Sequence, residues 1–230
     1  MTWVKICGMT NLEDALVAVE AGADAVGFVF YEKSPRKISV EAAREIVEKL
    51  PESVEKVGVF VNETGDTVMR AAEEAGLDAV QLYPDAKYKF SLLGGDFPVR
   101  IRRRLYVAFP PRLVTRKGLF GFTVANSLKS NISAMFLDSG NSERPGGTGK
   151  KFDWENVALI AQAMRRMDLK VVVAGGLTSQ NVSEAMKILK PWGVDVASGV
   201  EARPGKKDPE KVRVFVRAVR AAESPHGTGG

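Results

Sequence analysis

The sequence predicts an α/β protein that folds as a single (β/α)8 barrel. Three observations support this prediction: eight short runs rich in Val, Ile and Phe, amphipathic segments between most of them, and the resulting alternation of strand and helix. Strands that alternate with helices favour parallel pairing. Eight such units in about 220 residues fit a closed barrel, although a doubly wound open sheet would alternate in the same way.

The predicted elements follow from their periodicity and from the Gly, Pro or polar clusters that end them. The strands are expected at 3–7, 25–30, 56–61, 79–83, 98–102, 134–138, 170–174 and 194–198. Amphipathic helices are expected at 11–21, 40–50, 64–75, 153–167 and 179–189. The runs 20–27 and 74–80 share one form, a helix end stopped by glycine and followed by Asp and a strand. One barrel domain is therefore expected over 1–223, followed by a disordered tail at 224–230.

The segment 103–131 shows no clean helical period and is expected to be irregular. It belongs to a longer stretch, 97–137, which lacks Asp and Glu and accounts for much of the net charge of +5. No nucleic-acid-binding motif accompanies the basic residues, so they are interpreted as a solvated face. Their field also favours an anionic small substrate. We expect a cytoplasmic protein with no membrane contact, because no apolar stretch or signal segment is present.

The amino-acid inventory limits the chemistry that a central site could perform. The only histidine is His226, in the tail, so zinc sites rich in histidine and Ser-His-Asp triads are excluded. Acid-base catalysis must come from carboxylates, lysine, tyrosine or Cys7, the only cysteine. A lone cysteine can also be a small core residue, so Cys7 is a candidate nucleophile or base with that alternative open.

In such a barrel the active site forms where the strands end, so polar residues at those ends become candidates. They include Cys7, Gln81 and Asp138. Asp138 follows an apolar strand, which suggests either a general acid in a partly desolvated site or an ordinary turn cap. Lys5 shares a strand face with Cys7 and either lowers the pKa of the thiol or pairs with a carboxylate inside the barrel.

Anion sites are predicted at the same end of the barrel. Gly175-Gly176 and Ser198-Gly199 follow strands seven and eight, where backbone amides of such barrels commonly bind phosphate. Arg36 follows strand two and could hold a carboxylate through a bidentate pair, although a basic surface loop is the plain alternative. The glycine-rich loop 139–151 lacks the spacing of a phosphate loop and is interpreted as a mobile lid.

Several motifs resemble those of the phosphoribosylanthranilate isomerase family of tryptophan biosynthesis. They are Lys-Ile-Cys-Gly-Met-Thr at 5–10, Ser-Pro-Arg at 34–36, Val-Gly-Val-Phe-Val-Asn at 57–62, Leu-Asp-Ser at 137–139, Gly-Gly-Thr-Gly at 146–149, Ala-Gly-Gly-Leu at 174–177 and Ser-Gly-Val-Glu at 198–201. Their order runs from the first strand to the eighth helix, so the resemblance covers nearly the whole chain. One departure stands at strand four, where the family usually reads Val-Gln-Leu-His-Gly and this chain has Tyr83 and Pro84.

The resemblance implies an Amadori rearrangement of a small phosphorylated aminoaldose without cofactor or metal. It implies that Asp138 is the general acid and Cys7 the general base. It also implies that Arg36 binds the anthranilate carboxylate, and that the backbone at Gly175, Gly176, Ser198 and Gly199 binds the phosphate. Lys5 and Gln81 are further candidate substrate-binding residues, and a monomer or homodimer is expected.

Two other enzyme or binding functions remain alternatives. A histidine-pathway sugar isomerase would rearrange another aminoaldose, but such enzymes use paired aspartates rather than a thiol at Cys7. A barrel that has lost activity and only binds ligands is the second alternative, to which the change at Tyr83 and Pro84 lends weight.

Overall fold

The computed structural model describes residues 1–83, 103–109, 132–138 and 154–223. Eight parallel strands form a closed barrel in which each strand lies beside its neighbours in sequence and β8 pairs with β1. The predicted barrel is thus confirmed, and the open sheet is excluded. The strands are β1 (Trp3–Cys7), β2 (Ala25–Phe30), β3 (Glu55–Val61), β4 (Ala79–Tyr83), β5 (Arg104–Phe109), β6 (Ala134–Asp138), β7 (Val171–Ala174) and β8 (Gly193–Val196).

The described helices surround the barrel. The first five overlap the five predicted segments, and the sixth has no counterpart among them. The helices are α1 (Leu12–Glu20), α2 (Val40–Val47), α3 (Gly65–Glu74), α4 (Trp154–Arg166), α5 (Val182–Leu189) and α6 (Pro209–Glu223). Side chains of Asn11, Ser39 and Thr64 accept hydrogen bonds from the first turns of α1, α2 and α3. Such caps satisfy amides that have no partner within a helix. Polar residues before each apolar segment therefore fix where these helices begin.

The repeated Gly-x-Asp joint has a clear structural role. Gly22 and Gly76 adopt left-handed conformations at the ends of α1 and α3. Two residues later, Asp24 accepts a hydrogen bond from the Val4 amide at 2.8 Å, and Asp78 accepts one from the Lys56 amide at 2.9 Å. Each aspartate thereby ties the start of its own strand to the preceding strand in the barrel.

The predicted position of the fifth strand was wrong. The strand that pairs with β4 and β6 is Arg104–Phe109, inside the segment that we expected to be irregular. Its residues alternate, since Tyr106 and Ala108 pack inside the barrel while Leu105 and Val107 pack toward the helices. This alternation was missed in the sequence because four arginines at 100–104 and two prolines at 110–111 flank it. Residues 98–102 and 110–131 lie outside the described residues, as do the proposed lid and the tail.

The chain leaves β8 earlier than predicted. β8 ends at Val196, and Ser198–Val200 forms one turn of 3-10 helix rather than the end of a strand. A short antiparallel hairpin follows, made of β9 (Glu201–Arg203) and β10 (Lys206–Lys207). This hairpin lies at the end of the barrel where the parallel strands finish.

Two apolar layers hold the barrel together. The larger layer lies between strands and helices, and a smaller one fills the barrel interior with residues such as Ala25, Ala79, Tyr106 and Phe136. Trp3 and Trp192 stack with ring centroids 5.3 Å apart and pack against the inner layer. Among the helices in the described part of the chain, none has the length and apolar composition needed to cross a membrane.

Candidate active site

A cavity of about 430 Å³ opens at the carboxyl ends of the strands. This volume suits a small organic ligand. Cys7, Arg36, Asp138, Gly175, Gly176 and Ser198 all line it. Candidate site residues that follow or end strands one, two, six, seven and eight therefore lie together around one cavity.

Cys7 ends β1 and is 8% exposed. Burial raises the pKa of its thiol, because a thiolate is poorly solvated inside the barrel mouth. The positive charges of Lys5 and Lys207 oppose this effect, whereas Asp195 adds to it. The thiol is thus held mainly protonated, with two ammonium groups close enough to favour the thiolate.

Lys5 lies wholly inside the barrel beneath the cavity. Its ammonium is 3.0 Å from Asp195 Oδ1 and donates a hydrogen bond to Gln81 Oε1 at 2.9 Å. The pairing with a barrel carboxylate, one of the two alternatives for Lys5, is therefore present. Neither Lys5 nor Gln81 lines the cavity, so their substrate-binding role stays a prediction.

Asp138 ends β6 and is 3% exposed. The Tyr83 hydroxyl donates a hydrogen bond to Asp138 Oδ2 at 2.6 Å, and Gln81 Nε2 donates to Tyr83 Oη at 3.2 Å. Burial raises the pKa of Tyr83 well above its ordinary value, and the negative charge of Asp138 adds to this. The Tyr83 hydroxyl therefore keeps its proton, and remains a hydrogen-bond donor, across the pH range in which enzymes work.

The glycine turn after β7 has the geometry of a close backbone approach. Gly175 and Gly176 both have positive φ angles, 84° and 68°, which residues with a Cβ rarely adopt. The Asn181 side chain holds this turn, since it accepts from the Thr178 amide and donates to the Gly176 carbonyl. Ser198 reaches the same cavity from the 3-10 turn. Gly199 does not line the cavity, and a Cβ there would lie 1.9 Å from the Leu177 carbonyl oxygen.

Arg36 is held by a carboxylate from the hairpin. Its Nε and Nη2 each lie 2.8 Å from an oxygen of Glu201, in a bidentate pair. Lys207, which is fully buried, donates to Glu201 at 3.1 Å, to the Cys7 carbonyl at 2.6 Å and to the Ala197 carbonyl at 3.1 Å. Within the described part of the chain Arg36 Nη1 makes no hydrogen bond, so that edge of the guanidinium can take a ligand carboxylate.

Comparison with known proteins identifies the family. A family model described as N-(5'phosphoribosyl)anthranilate (PRA) isomerase matches residues 4–218. The chain belongs to this family. Membership makes it an isomerase of tryptophan biosynthesis, as the motifs at the strand ends had indicated.

Individual members of the family are similar over almost their whole length. N-(5'-phosphoribosyl)anthranilate isomerase of Citrifermentans bemidjiense is 47% identical over 216 residues, 94% of this chain and 96% of that protein. The crystal structure of the Thermotoga maritima enzyme is 39% identical with a TM-score of 0.80, covering 96% of this chain and 100% of that one. The Thermotoga enzyme is dimeric, and monomers made from it have also been solved.

One member of the family has been solved with a ligand, reduced 1-(o-carboxyphenylamino)-1-deoxyribulose 5-phosphate. That structure is 38% identical to this chain with a TM-score of 0.76, and covers 96% of this chain and 100% of that one. The ligand carries a carboxylate and a phosphate, the two anions for which the sequence predicted sites.

Sequence reasoning missed the partners that hold the site residues. Asp195 could have been found, because a lone charge between valines of a predicted strand must face a counter-charge. Glu201 appeared only as part of a motif, with no contact assigned. Lys207 and Asn181 carried no signal, since polar residues outside an apolar run usually face water.

Proposed function

We propose that this isomerase converts N-(5-phosphoribosyl)anthranilate to 1-(2-carboxyphenylamino)-1-deoxyribulose 5-phosphate. The single observation that carries the proposal is the meeting of Cys7 and Asp138 in one cavity. Of the thiol and carboxyl groups among the described residues that line it, the third is that of Asp195, which is paired with Lys5. A thiol and a carboxyl are sufficient for the reaction, which needs neither cofactor nor metal.

In the first step Asp138 acts as the general acid. It gives its proton to the furanose ring oxygen, the bond between this oxygen and C1′ breaks, and the nitrogen lone pair forms a Schiff base. The position of Asp138 supports this role, because its carboxyl is 3% exposed and lines the cavity in which the sugar would bind.

In the second step Cys7 acts as the general base. Its thiolate removes the C2′ proton, and the electron pair moves to C1′–C2′ and onto nitrogen to give an enolamine. Tautomerisation returns a proton to C1′ and converts the C2′ hydroxyl to the ketone, so no electrons enter or leave overall. Lys5 and Lys207 support this step through their charges, which favour the thiolate.

The two anionic ends of the substrate would bind on either side of Cys7. In the barrel β1 lies between β2, which precedes Arg36, and β8, which precedes Ser198 and Gly199. Arg36 would bind the anthranilate carboxylate, and the backbone at Gly175, Gly176, Ser198 and Gly199 the phosphate. The proposed enzyme acts in the cytoplasm on this small molecule, as a monomer or homodimer.

Turnover of the purified full-length chain tests the proposal. N-(5-phosphoribosyl)anthranilate would be generated in situ and its fluorescence followed, with the product identified by mass and by its keto group. We expect rapid loss of the signal and formation of the ketose phosphate. Turnover of a histidine-pathway aminoaldose alone, or of no substrate by a well-folded chain, would overturn the proposal in favour of a different isomerase or an inactive barrel.

A further inference from the structure

Four side chains form a continuous row of hydrogen bonds across the barrel mouth. Lys5 Nζ lies 2.9 Å from Gln81 Oε1, Gln81 Nε2 lies 3.2 Å from Tyr83 Oη, and Tyr83 Oη lies 2.6 Å from Asp138 Oδ2. The row begins on β1, crosses β4 and ends on β6. Its last member is the carboxyl that the proposed function uses as the general acid.

The chemistry of Lys5 fixes the direction of every bond in this row. An ammonium can only donate, so the amide of Gln81 must turn its oxygen to Lys5 and its NH2 group to Tyr83. The Tyr83 oxygen then accepts from Gln81, and its single hydrogen points to Asp138. Asp138 Oδ2 is therefore an acceptor whenever the row is intact.

We propose that Tyr83 is a positioning residue that orients Asp138 for proton transfer, an inference that rests on the proposed function. The hydrogen bond makes Oδ2 an acceptor, so the transferable proton of Asp138 is not directed toward Tyr83. It also fixes the torsion of the carboxyl group, and with it the direction in which that proton is delivered.

The surroundings of Tyr83 suit this role over a wide pH range. Its hydroxyl faces Asp138 on β6. Among the described residues, Asp195 on β8 and Cys7 on β1 also act on it through their charges, and Lys5 on β1 reaches it through Gln81. Burial and the neighbouring carboxylates keep the pKa of Tyr83 well above its ordinary value, so it does not lose the donated hydrogen. Lys5, at the other end of the row, is also the ammonium that acts on Cys7. One buried network thus contacts both the proposed acid and the proposed base.

The test is the Tyr83→Phe variant, which keeps the ring and removes the hydroxyl. We expect kcat to fall about 10- to 100-fold and KM to change less than about threefold, because orientation of the acid matters in the transition state rather than in binding. Tyr106→Phe is the matched control. Tyr106 also donates from a buried hydroxyl to a carboxylate, Glu55 Oε1 at 2.8 Å, but it does not line the cavity.

A double variant separates positioning from a structural effect. In the Asp138→Asn background, Tyr83→Phe should cause no further loss of the residual rate, because Tyr83 acts through Asp138. A wild-type kcat for Tyr83→Phe would overturn the inference while leaving the proposed function intact. So would a loss confined to KM, an equal loss in Tyr106→Phe, or a full additional loss in the Asp138→Asn background. An inactive wild-type chain would instead refute the proposed function itself.

Discussion

Cys7 lies near two ammonium groups, Lys5 and Lys207, whose charges act against the burial of its thiol. The net result is a thiol pKa above its ordinary value. Burial favours the neutral form of a titratable group, and the two ammonium groups offset only part of this rise in the thiol pKa. The Cys7 thiol therefore forms less thiolate than an ordinary cysteine at a given pH, and its thiolate fraction increases with pH.

The direction of this pKa shift can be measured by alkylation, since Cys7 is the only cysteine in the chain. The rate of reaction with iodoacetamide should rise with pH, and its midpoint should lie above that of the same chain unfolded in urea. The reason is that a raised pKa leaves less thiolate at any given pH. A midpoint below that of the unfolded chain would show that the cations outweigh burial.

Glu201 is predicted to act on substrate binding through Arg36. The Glu201→Gln change keeps the size of the side chain but removes the charge of the bidentate pair, so Arg36 should lose its fixed orientation. We expect KM to rise about tenfold with kcat within about threefold of wild type. Steady-state kinetics would measure this, with Glu210→Gln as control because Glu210 and its partner Arg217 are both exposed and neither lines the cavity. An unchanged KM would contradict a positioning role.

At this scale the sequence predicted that Cys7 and Asp138 lie at the mouth of the barrel, but not which residues hold the site. Both could be placed there because the strands of such a barrel end around one site, and both residues line the cavity. The contacts of Arg36 with Glu201, and of Lys207 with Cys7, join residues more than 160 positions apart. No local pattern reports such pairs, because they depend on how the hairpin after β8 folds over the barrel mouth.

Among the elements, β1 and β8 are the pair that closes the barrel, and a buried ion pair joins them. Lys5 and Asp195 are direct partners in the strand register and lie 3.0 Å apart. Burial of two charges is costly, so such a pair adds little net stability, yet removal of one partner leaves the other charge uncompensated. Closure of the barrel should therefore depend on both residues together.

A double-mutant cycle tests this dependence. Lys5→Met and Asp195→Leu should each lower the free energy of unfolding by about 3–5 kcal/mol, measured by urea denaturation. The double variant should lose less than the sum, because no unpaired charge remains. Purely additive losses would show that the ion pair does not couple the two strands.

The positions of the strands and helices were largely predicted from the sequence, and the exception is β5. β2, β4 and β6 occupy the predicted residues, since apolar runs bounded by turn residues leave little choice. β5 was misplaced because its start, Arg104, pairs with Glu55 at the barrel end and so brings a charge into the strand. A charged residue with a tertiary partner looks the same in sequence as a loop residue.

For the whole molecule, eight strand-helix units predicted a closed barrel, and closure follows from the pairing of β8 with β1. Closure creates the cavity, because it brings strand ends from both ends of the chain to one rim. Ligand binding should therefore stabilise the complete barrel rather than one part of it. No single segment contains both predicted anion sites.

Thermal unfolding should report this stabilisation. Reduced 1-(o-carboxyphenylamino)-1-deoxyribulose 5-phosphate at 100 times its Kd should add about 2.7 kcal/mol and raise Tm by about 5–10 °C in one cooperative transition. An Arg36→Met variant serves as the comparison, and needs a higher ligand concentration for the same shift. Equal shifts at equal concentrations would indicate that the carboxylate is bound elsewhere.

The central claim is that Cys7 and Asp138 form the acid-base pair of an Amadori rearrangement. The most direct measurement is kcat for wild type, Cys7→Ala and Asp138→Asn on N-(5-phosphoribosyl)anthranilate, with folding verified by circular dichroism. We expect turnover by wild type and a loss of at least about 100-fold in each variant, since each removes one proton transfer. Wild-type turnover together with near-normal kcat in either variant would contradict it.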